Sequence, residues 1–499
     1  MRPTFLLHYL MDNAVFALSG APNPEMLQYP PMRRRDALKL SALLVDVSAP
    51  VARVQAARPK RVVIGGGGLA GLCCAYELAE RGHDVTVLEA SGGTGGHVRT
   101  IREGLADGLY LDGGAQHFTK PGYDLYWKYV EEFHLTALRY PHLDKLLQWF
   151  DGRMFTEEQL QDSKILAGFG FNQREIGFLK QHEWWELPNL YFGPYIDSFL
   201  DEYRPFGIGL DKLDAVTVAD VLKKDGASPA AIDWIGDSDN SALHVIWKAA
   251  ILKLRGVPLW PREVYRLKGG NQKLPDAFRE KLGSRVRTNC PITAIRHGDT
   301  GARVTYKDSG REQTLEADYL VCCMSAVMLR QIPVTPAWPE LKQFAIYNMP
   351  YTVESRPIFQ SRTKFWKKDG LTPSMDFHDR LFDSVWATGD DVPTDRGLLI
   401  GTAQGSVTSK QALSVYRRYY PGKSEDIDYA AVVDWSRDPW AMTCEALNYR
   451  PGELRKFWPA AMEPVGRVYF AGAYCDNMSW GQEAATRSAN RVARAIHEA

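Results

Sequence analysis

Net charge is the first thing this chain lacks: 60 Lys and Arg are matched by 60 Asp and Glu, a formal charge of zero over 499 residues. That balance argues against broad electrostatic capture of nucleic acid or of an anionic membrane. No uninterrupted apolar run approaches the ~18 residues that a membrane-crossing helix needs, so no membrane span is expected. Cysteine is sparse: the seven include two adjacent pairs, Cys73-Cys74 and Cys322-Cys323, with no CxxC and no Cys/His spacing of a zinc site. Each pair sits in an apolar stretch, as buried small residues do. The eleven histidines contain no HExxH or comparable helical pair, and no metal is expected. Internal repeats and low-complexity tracts are absent as well. What remains is 45% hydrophobic and 24% charged, an ordinary globular mix. The length suits two to four domains at ~100–200 residues each.

Residues 1–57 do not read as a folded domain. Arg34-Arg35-Asp36-Ala37-Leu38-Lys39, followed by Leu40-Ser41-Ala42-Leu43-Leu44-Val45, resembles a bacterial twin-arginine export signal. Met32 would be its natural start, and the small residues Ala56-Ala57 suit cleavage. Asp46 interrupts the apolar stretch, and the competing reading is a basic, helix-forming extension. Export would place the protein in the periplasm or outside the cell; without it the location is cytoplasmic.

The strongest local signal begins at Arg61. Val62-Val63-Ile64 reads as a short buried strand running into Gly65-Gly66-Gly67-Gly68-Leu69-Ala70-Gly71, within which Gly66, Gly68 and Gly71 make GxGxxG. Leu69, Leu72, Cys73 and Leu78 then recur at helical spacing up to Gly82. A second strand, Asp84-Val85-Thr86-Val87-Leu88, ends at Glu89. Glycines let a backbone turn tightly and approach a pyrophosphate, which sits at the positive N-terminus of a helix. Glu89, 18 residues after Gly71, can accept hydrogen bonds from ribose hydroxyls and would repel the 2′-phosphate of NADP. The bland alternative is a glycine-rich turn without a ligand.

The residues after Glu89 point to FAD rather than NAD. Glu89-Ala90-Ser91 leads to Gly95-Gly96-His97-Val98-Arg99-Thr100, and then to Asp112-Gly113-Gly114. This resembles the E-A-x(4)-G-G-R-x-x-T signature of the flavin amine oxidase superfamily. That superfamily includes monoamine oxidases, L-amino-acid oxidases, polyamine oxidases, protoporphyrinogen oxidase and the phytoene-desaturase group. Later stretches match in order: Gly269-Gly270 through Leu274-Pro275, Val286 through Ile295, Leu398-Leu399-Ile400-Gly401 with Gly405, and Gly466 through Gly472 followed by Glu483 through Ser488. The resemblance covers roughly residues 60–499.

It implies an α/β protein, with a Rossmann-type FAD-binding domain of the glutathione-reductase-like class and an interleaved α+β substrate domain. Residues 58–125, 262–330 and 436–499 would form the discontinuous FAD-binding domain, and 126–261 with 331–435 the substrate domain. Val286 through Ile295 would be one strand meeting the adenine. The implied FAD contacts are Gly66, Gly68, Leu69, Ala70, Gly71, Glu89, Ala90, Gly95, Gly96, His97, Gly113, Gly114, Ile292, Gly472, Glu483 and Ala484. On the last helix Ala485, Ala489, Val492 and Ile496 fall on one face. Its N-terminus would aim a positive dipole end at the flavin pyrimidine oxygens. The aromatics Trp184-Trp185, Tyr191-Phe192 and Trp234 read as core before ligand box, and Thr305 through Ala317 reads as a hairpin. The chain stops right after the final helix, so the C-terminal anchor of monoamine oxidases is not expected.

In such proteins the cofactor carries the hard chemistry, a hydride or its equivalent passing from a substrate C–H bond to flavin N5. Substrate identity therefore rests on a few residues, and several depart from the family pattern. His97 replaces the usual Arg, with Arg99 available as a substitute charge. Amine-oxidising members place a lysine shortly after the strand matching Tyr319-Leu320-Val321, where it favours reaction with oxygen. Counting along this chain puts Gln331 there, beside Arg330, unless the ungapped match slips by one residue. A glutamine favours a dehydrogenase. Glu445 stands in place of the first ring of the amine-binding cage and reads equally as an ammonium ligand or a surface carboxylate. The second ring falls near Trp480 and Gln482. Gln116 and His117 would lie near the flavin ring as orienting or acid–base groups, a hydrogen-bonded structural histidine being the competing reading for His117. Ala473 replaces the acid many relatives carry.

Three functions are compatible with these residues. The first is an FAD-dependent oxidase or dehydrogenase acting at the C–N bond of an amine or amino acid. The second is a flavin desaturase or isomerase acting on C–C bonds of an apolar substrate. The third is an FAD-binding protein that has lost catalysis. The implied partners are a small-molecule substrate and an electron acceptor, oxygen or a quinone. A homo-oligomer is compatible with the sequence.

Overall fold

The computed structural model describes residues 58–499 apart from 141–144, 151, 259–262, 371, 378, 380, 421, 423, 443–446 and 479–480. The twin-arginine stretch, Glu445 and Trp480 thus lie outside the described residues.

The strand–helix–strand expected from Arg61 is present as β1 (Arg61–Gly65), α1 (Leu69–Glu80) and β2 (Asp84–Leu88). Val62, Val63 and Ile64 are all buried, as a strand covered on both faces requires. Three later strands join in parallel: β3 (Val286–Arg287), β4 (Tyr319–Cys322) and β5 (Val468–Phe470). The sheet order is β3-β2-β1-β4-β5. The closing helix α2 (Gly481–Glu498) packs on α1, its Ala485, Ala489, Val492 and Ile496 sharing one buried cluster with Leu72 and Ala75. The one-face pattern read from the sequence is the packing face.

A second sheet has seven strands, with Glu354–Ser361 and Gly397–Gln404 second and third from one edge and Leu147–Phe150 and Arg153–Phe155 at the other. Ile358, Leu398 and Ile400 from it pack on Leu109 and Leu111, which joins this sheet to the segment leading to Gly113-Gly114. The expected hairpin is Ala302–Asp308 paired with Arg311–Ala317 in unbroken register. Val286 through Ile295 is not one strand. It splits into β3 and Ile292–His297, which belong to different sheets. Asn289 at φ 56 and Pro291 lie between the two and turn the chain. Val334–Thr335 pairs with Ile295 and Arg296, so strand pairing runs across position 330. Of the insert aromatics, Tyr191 and Phe192 are buried in the core, and Trp234 stacks on Phe150 at 4.6 Å.

Candidate cofactor and substrate site

A cavity of about 1010 Å³ opens where the parallel strands end: Gly66 after β1, Glu89 after β2, Cys323 and Met324 after β4, and Gly472 after β5. Open parallel sheets bind ligands at this edge, because loops and helix N-termini converge there. Glu89 is buried. Its Oε2 accepts from the Gly67 N–H at 2.6 Å and its Oε1 from the Ser91 N–H at 2.7 Å, which leaves each oxygen a further lone pair. Pro291, Ile292 and Lys307 are also on the wall.

On the cavity wall Gly68 precedes the first turn of α1, and no side chain caps it. Its first-turn N–H groups are therefore open to a ligand's acceptors, with the helix dipole behind them. Gly68, Leu69 and Ala70 line this stretch. Gly71 is turned inward: a Cβ there would collide with the Gly66 carbonyl, so only glycine permits this crossing of strand and helix. Ala90, Gly95, Gly96 and His97 form the facing wall, tied to it by Gly95 N–H donating to the Gly67 carbonyl at 2.9 Å.

His97 Nε2 lies 3.1 Å from the Ala441 carbonyl, its ring 4.8 Å from that of Trp435. Arg99 does not stand free as a replacement charge. Its guanidinium covers Trp435 and pairs with Asp438 at 2.8 Å. Burial alone would raise the Asp438 carboxyl, but the Trp440 N–H and Arg99 outweigh it and hold it below the usual range.

Gly472 and Gln482 border the remaining end, with Ala473, Tyr474, Gly481 and Ala485. Gln331 also reaches the wall, exposed, its Nε2 donating to the Val327 carbonyl at 3.0 Å. Gly113 and Gly114 lie behind the wall. The Gly113 carbonyl accepts from Trp435 Nε1 at 3.0 Å, and a Cβ at Gly114 would collide with the His97 carbonyl. Ala484 is fully buried. Glu483 is directed elsewhere: its carboxylate accepts from the Leu125 and Tyr126 N–H groups at 3.2 and 2.9 Å, at the start of the helix Asp124–Glu132, and pairs with Arg255 at 3.3 Å. Gln116 and His117 are not on the cavity wall, but the His117 carbonyl accepts from Gln482 Nε2 at 3.2 Å. Burial and the Arg356 charge push the His117 imidazole down to about 4.

Met324, Ser325, Met328, Tyr351, Tyr474, Asp438 and Trp440 line the cavity and were not anticipated. Met324 and Ser325 come directly after β4, so the strand-end rule that finds Glu89 also finds them. Among the described residues no group of His, Cys, Asp and Glu could hold a metal, and no helix is long and apolar enough to cross a membrane.

Residues 69–497 match the family of flavin-containing amine oxidoreductases. The chain belongs to that family. This family member is similar to the L-amino-acid oxidase of Demansia vestigiata, 25% identical over 467 residues, 89% of this chain and 88% of the relative. It is likewise similar to that of Bothrops atrox, 26% identical over 464 residues, 88% and 89% of the two chains. Its fold resembles putrescine oxidase bound to putrescine, with TM-score 0.75 and 20% identity over 88% of this chain and 99% of the other. It also resembles cyclohexylamine oxidase from Brevibacterium oxydans, with TM-score 0.72 and 21% identity over 88% and 99%.

Proposed function

We propose that this protein is an FAD-dependent oxidoreductase acting at the C–N bond of an amine or amino acid. The carrying observation is the cavity at the parallel strand ends, where an uncapped helix N-terminus and the Glu89 carboxylate lie along one wall. Those donors and acceptors suit the two ends of a dinucleotide: N–H groups for a pyrophosphate, a carboxylate for ribose hydroxyls. When bound, FAD supplies the hydride acceptor. The Rossmann-type assignment of the parallel sheet and the division into 58–125, 262–330 and 436–499 against 126–261 and 331–435 belong to the same reading. The relatives named for L-amino-acid, putrescine and cyclohexylamine oxidation support the C–N bond over a C–C bond.

Within this reading Gly66, Gly68, Leu69, Ala70, Glu89, Ala90, Gly95, Gly96, His97, Ile292 and Gly472 hold the cofactor. Gly71, Gly113, Gly114 and Ala484 shape its walls from behind, and Glu483 holds the scaffold. Gln116, His117, Gln331 and Gln482 serve the substrate side together with Glu445 and Trp480. The electron acceptor is oxygen or a quinone, and the twin-arginine reading places the protein in the periplasm or outside the cell. The test is the flavin itself: purified protein should be yellow and release one FAD per chain on denaturation. A colourless protein that takes up no added FAD contradicts the proposal.

A further inference from the structure

A buried amine and a buried thiol meet at one carbonyl, and neither has a part in the chemistry described so far. Lys342, on the helix Glu340–Asn348, is 4% exposed. Its Nζ donates to the Ala461 carbonyl at 3.0 Å and lies 3.9 Å from the centre of the Phe470 ring, at the end of β5. The Cys475 thiol donates to the same Ala461 carbonyl at 3.6 Å. Two donors on one oxygen stand side by side, and the flexible four-carbon stem lets the lysine nitrogen swing to the sulfur. Cys475 is fully buried and carries no disulfide. Its chain neighbour Tyr474 lines the cavity and has a buried hydroxyl without a hydrogen-bond partner among the described residues. The thiol is thus one residue along the chain from the cavity wall.

A buried ammonium is costly unless a carboxylate faces it, and the usual outcome is that the group gives up its proton. Among the described residues Lys342 has no carboxylate at ion-pair distance, and Glu463 acts on it only from farther off. Burial holds its amine down to about 8, against Cys475, Glu463 and Cys322, while Arg491 adds to the lowering. Burial likewise pushes the Cys475 thiol up to about 11, with Lys342 opposing. Near pH 8 a large share of the pair is therefore a free amine beside a neutral thiol. A thiol in such surroundings is inert without a base at hand. Lys342 is that base.

We propose that Lys342 and Cys475 form an oxidative modification site, which hydrogen peroxide closes into a reversible N–S bond, a sulfenamide. The Lys342 amine takes the thiol proton, and the sulfur attacks one peroxide oxygen. The O–O bond breaks, and the other oxygen leaves as hydroxide and recovers the proton from Lys342 as water. The sulfur is now a sulfenic acid, and its two electrons have reduced the peroxide. The Lys342 lone pair then attacks this sulfur, and the S–O bond breaks. The hydroxyl departs with a proton from the nitrogen as a second water. A thiol reductant supplies two electrons, becomes a disulfide, and returns the amine and the thiol. The bond captures the sulfenic acid before a second peroxide takes it to sulfinic acid, which thiols do not restore. It also ties the helix Glu340–Asn348 to the turn Ala473–Cys475. Oxygen, one of the two acceptors in the reading above, becomes hydrogen peroxide on taking two electrons and two protons. Only the source of the peroxide rests on that reading.

The test is to treat the FAD-loaded protein with excess hydrogen peroxide, block the remaining thiols, digest with trypsin and map the peptides by mass spectrometry. The expected product joins a peptide with Lys342 uncut to the peptide carrying Cys475, two hydrogens lighter than the sum of the two. Trypsin cannot cut at a lysine whose nitrogen is bonded to sulfur, and dithiothreitol added before digestion should restore the cut. Lys342→Met keeps an apolar stem and removes the amine, so Cys475 should pass to sulfinic acid and dithiothreitol should not recover it. Cys475→Ser should leave Lys342 cut with or without peroxide. In the unmodified protein, a Cys475 that stays a thiol, ends as sulfinic acid or pairs with Cys322 while Lys342 is still cut overturns the proposal. That map decides even if a variant fails to fold. No amine is added, so failure here leaves the C–N reading standing, and failure of that reading leaves the crosslink standing.

Discussion

Glu483 separates a cofactor contact from a structural clamp, because the two roles predict opposite results on substitution. Glu483→Ala removes the acceptor for the Leu125 and Tyr126 N–H groups, held at 3.2 and 2.9 Å. Each donor left unmet costs about 1–3 kcal/mol. Arg255 loses one partner at 3.3 Å but keeps Asp124 and Glu202 at 3.2 and 3.7 Å, so its share is about 1 kcal/mol or less. The total loss should be about 3–5 kcal/mol. Glu483→Gln keeps the shape and an acceptor oxygen. Burial already holds this carboxyl above its usual range against those hydrogen bonds and Arg255, so removing the charge should change stability by about 1 kcal/mol or less. Urea unfolding, with flavin released from the folded fraction measured in parallel, checks both. The clamp predicts a lower midpoint for the alanine variant, a near-native one for the glutamine variant, and full flavin in each folded fraction. Native midpoints with lost flavin would refute the reasoning.

Three further outcomes are expected. Asp112 is buried, and despite hydrogen bonds from Thr100 and the Asn271 N–H its carboxyl is pushed up to about 6. A folded pKa above the unfolded 3.8 lowers stability above about pH 6, by about 3 kcal/mol, and that loss vanishes as pH falls through 6 towards 3.8. Asp112→Asn should therefore raise the melting temperature at pH 8 and leave it unchanged at pH 4; an equal effect at both contradicts this. Glu89→Ala should weaken FAD binding by about 10–100-fold in a fluorescence titration, one charge-assisted hydrogen bond lost. Gln331→Lys should speed reoxidation of the reduced flavin by oxygen at least about tenfold in stopped flow; an unchanged rate would remove Gln331 from the acceptor argument.

The nucleotide half was legible because its signals are local. Val62-Val63-Ile64, the glycines and Glu89 lie within one strand–helix–strand, and the face Ala485, Ala489, Val492, Ile496 is set by helical period alone. The substrate side was less legible because its residues meet across long stretches of chain. Nothing near Arg99 announces Asp438, which reads as an ordinary residue before a proline. An acid in the first turn of a helix looks the same from sequence whether it faces a cofactor or, as Glu483 does, the start of another helix. The corner at Asn289 to Pro291 was hidden for a similar reason: the apolar residues on either side fit one long strand as well as two short ones.

Anaerobic titration of the purified, FAD-loaded protein with L-amino acids, putrescine and cyclohexylamine, monitored at the flavin absorbance band, tests the central claim most directly. The account predicts that at least one of these nitrogen compounds bleaches the flavin stoichiometrically. A flavin that dithionite reduces but none of them bleaches, while an apolar polyene does, would contradict it.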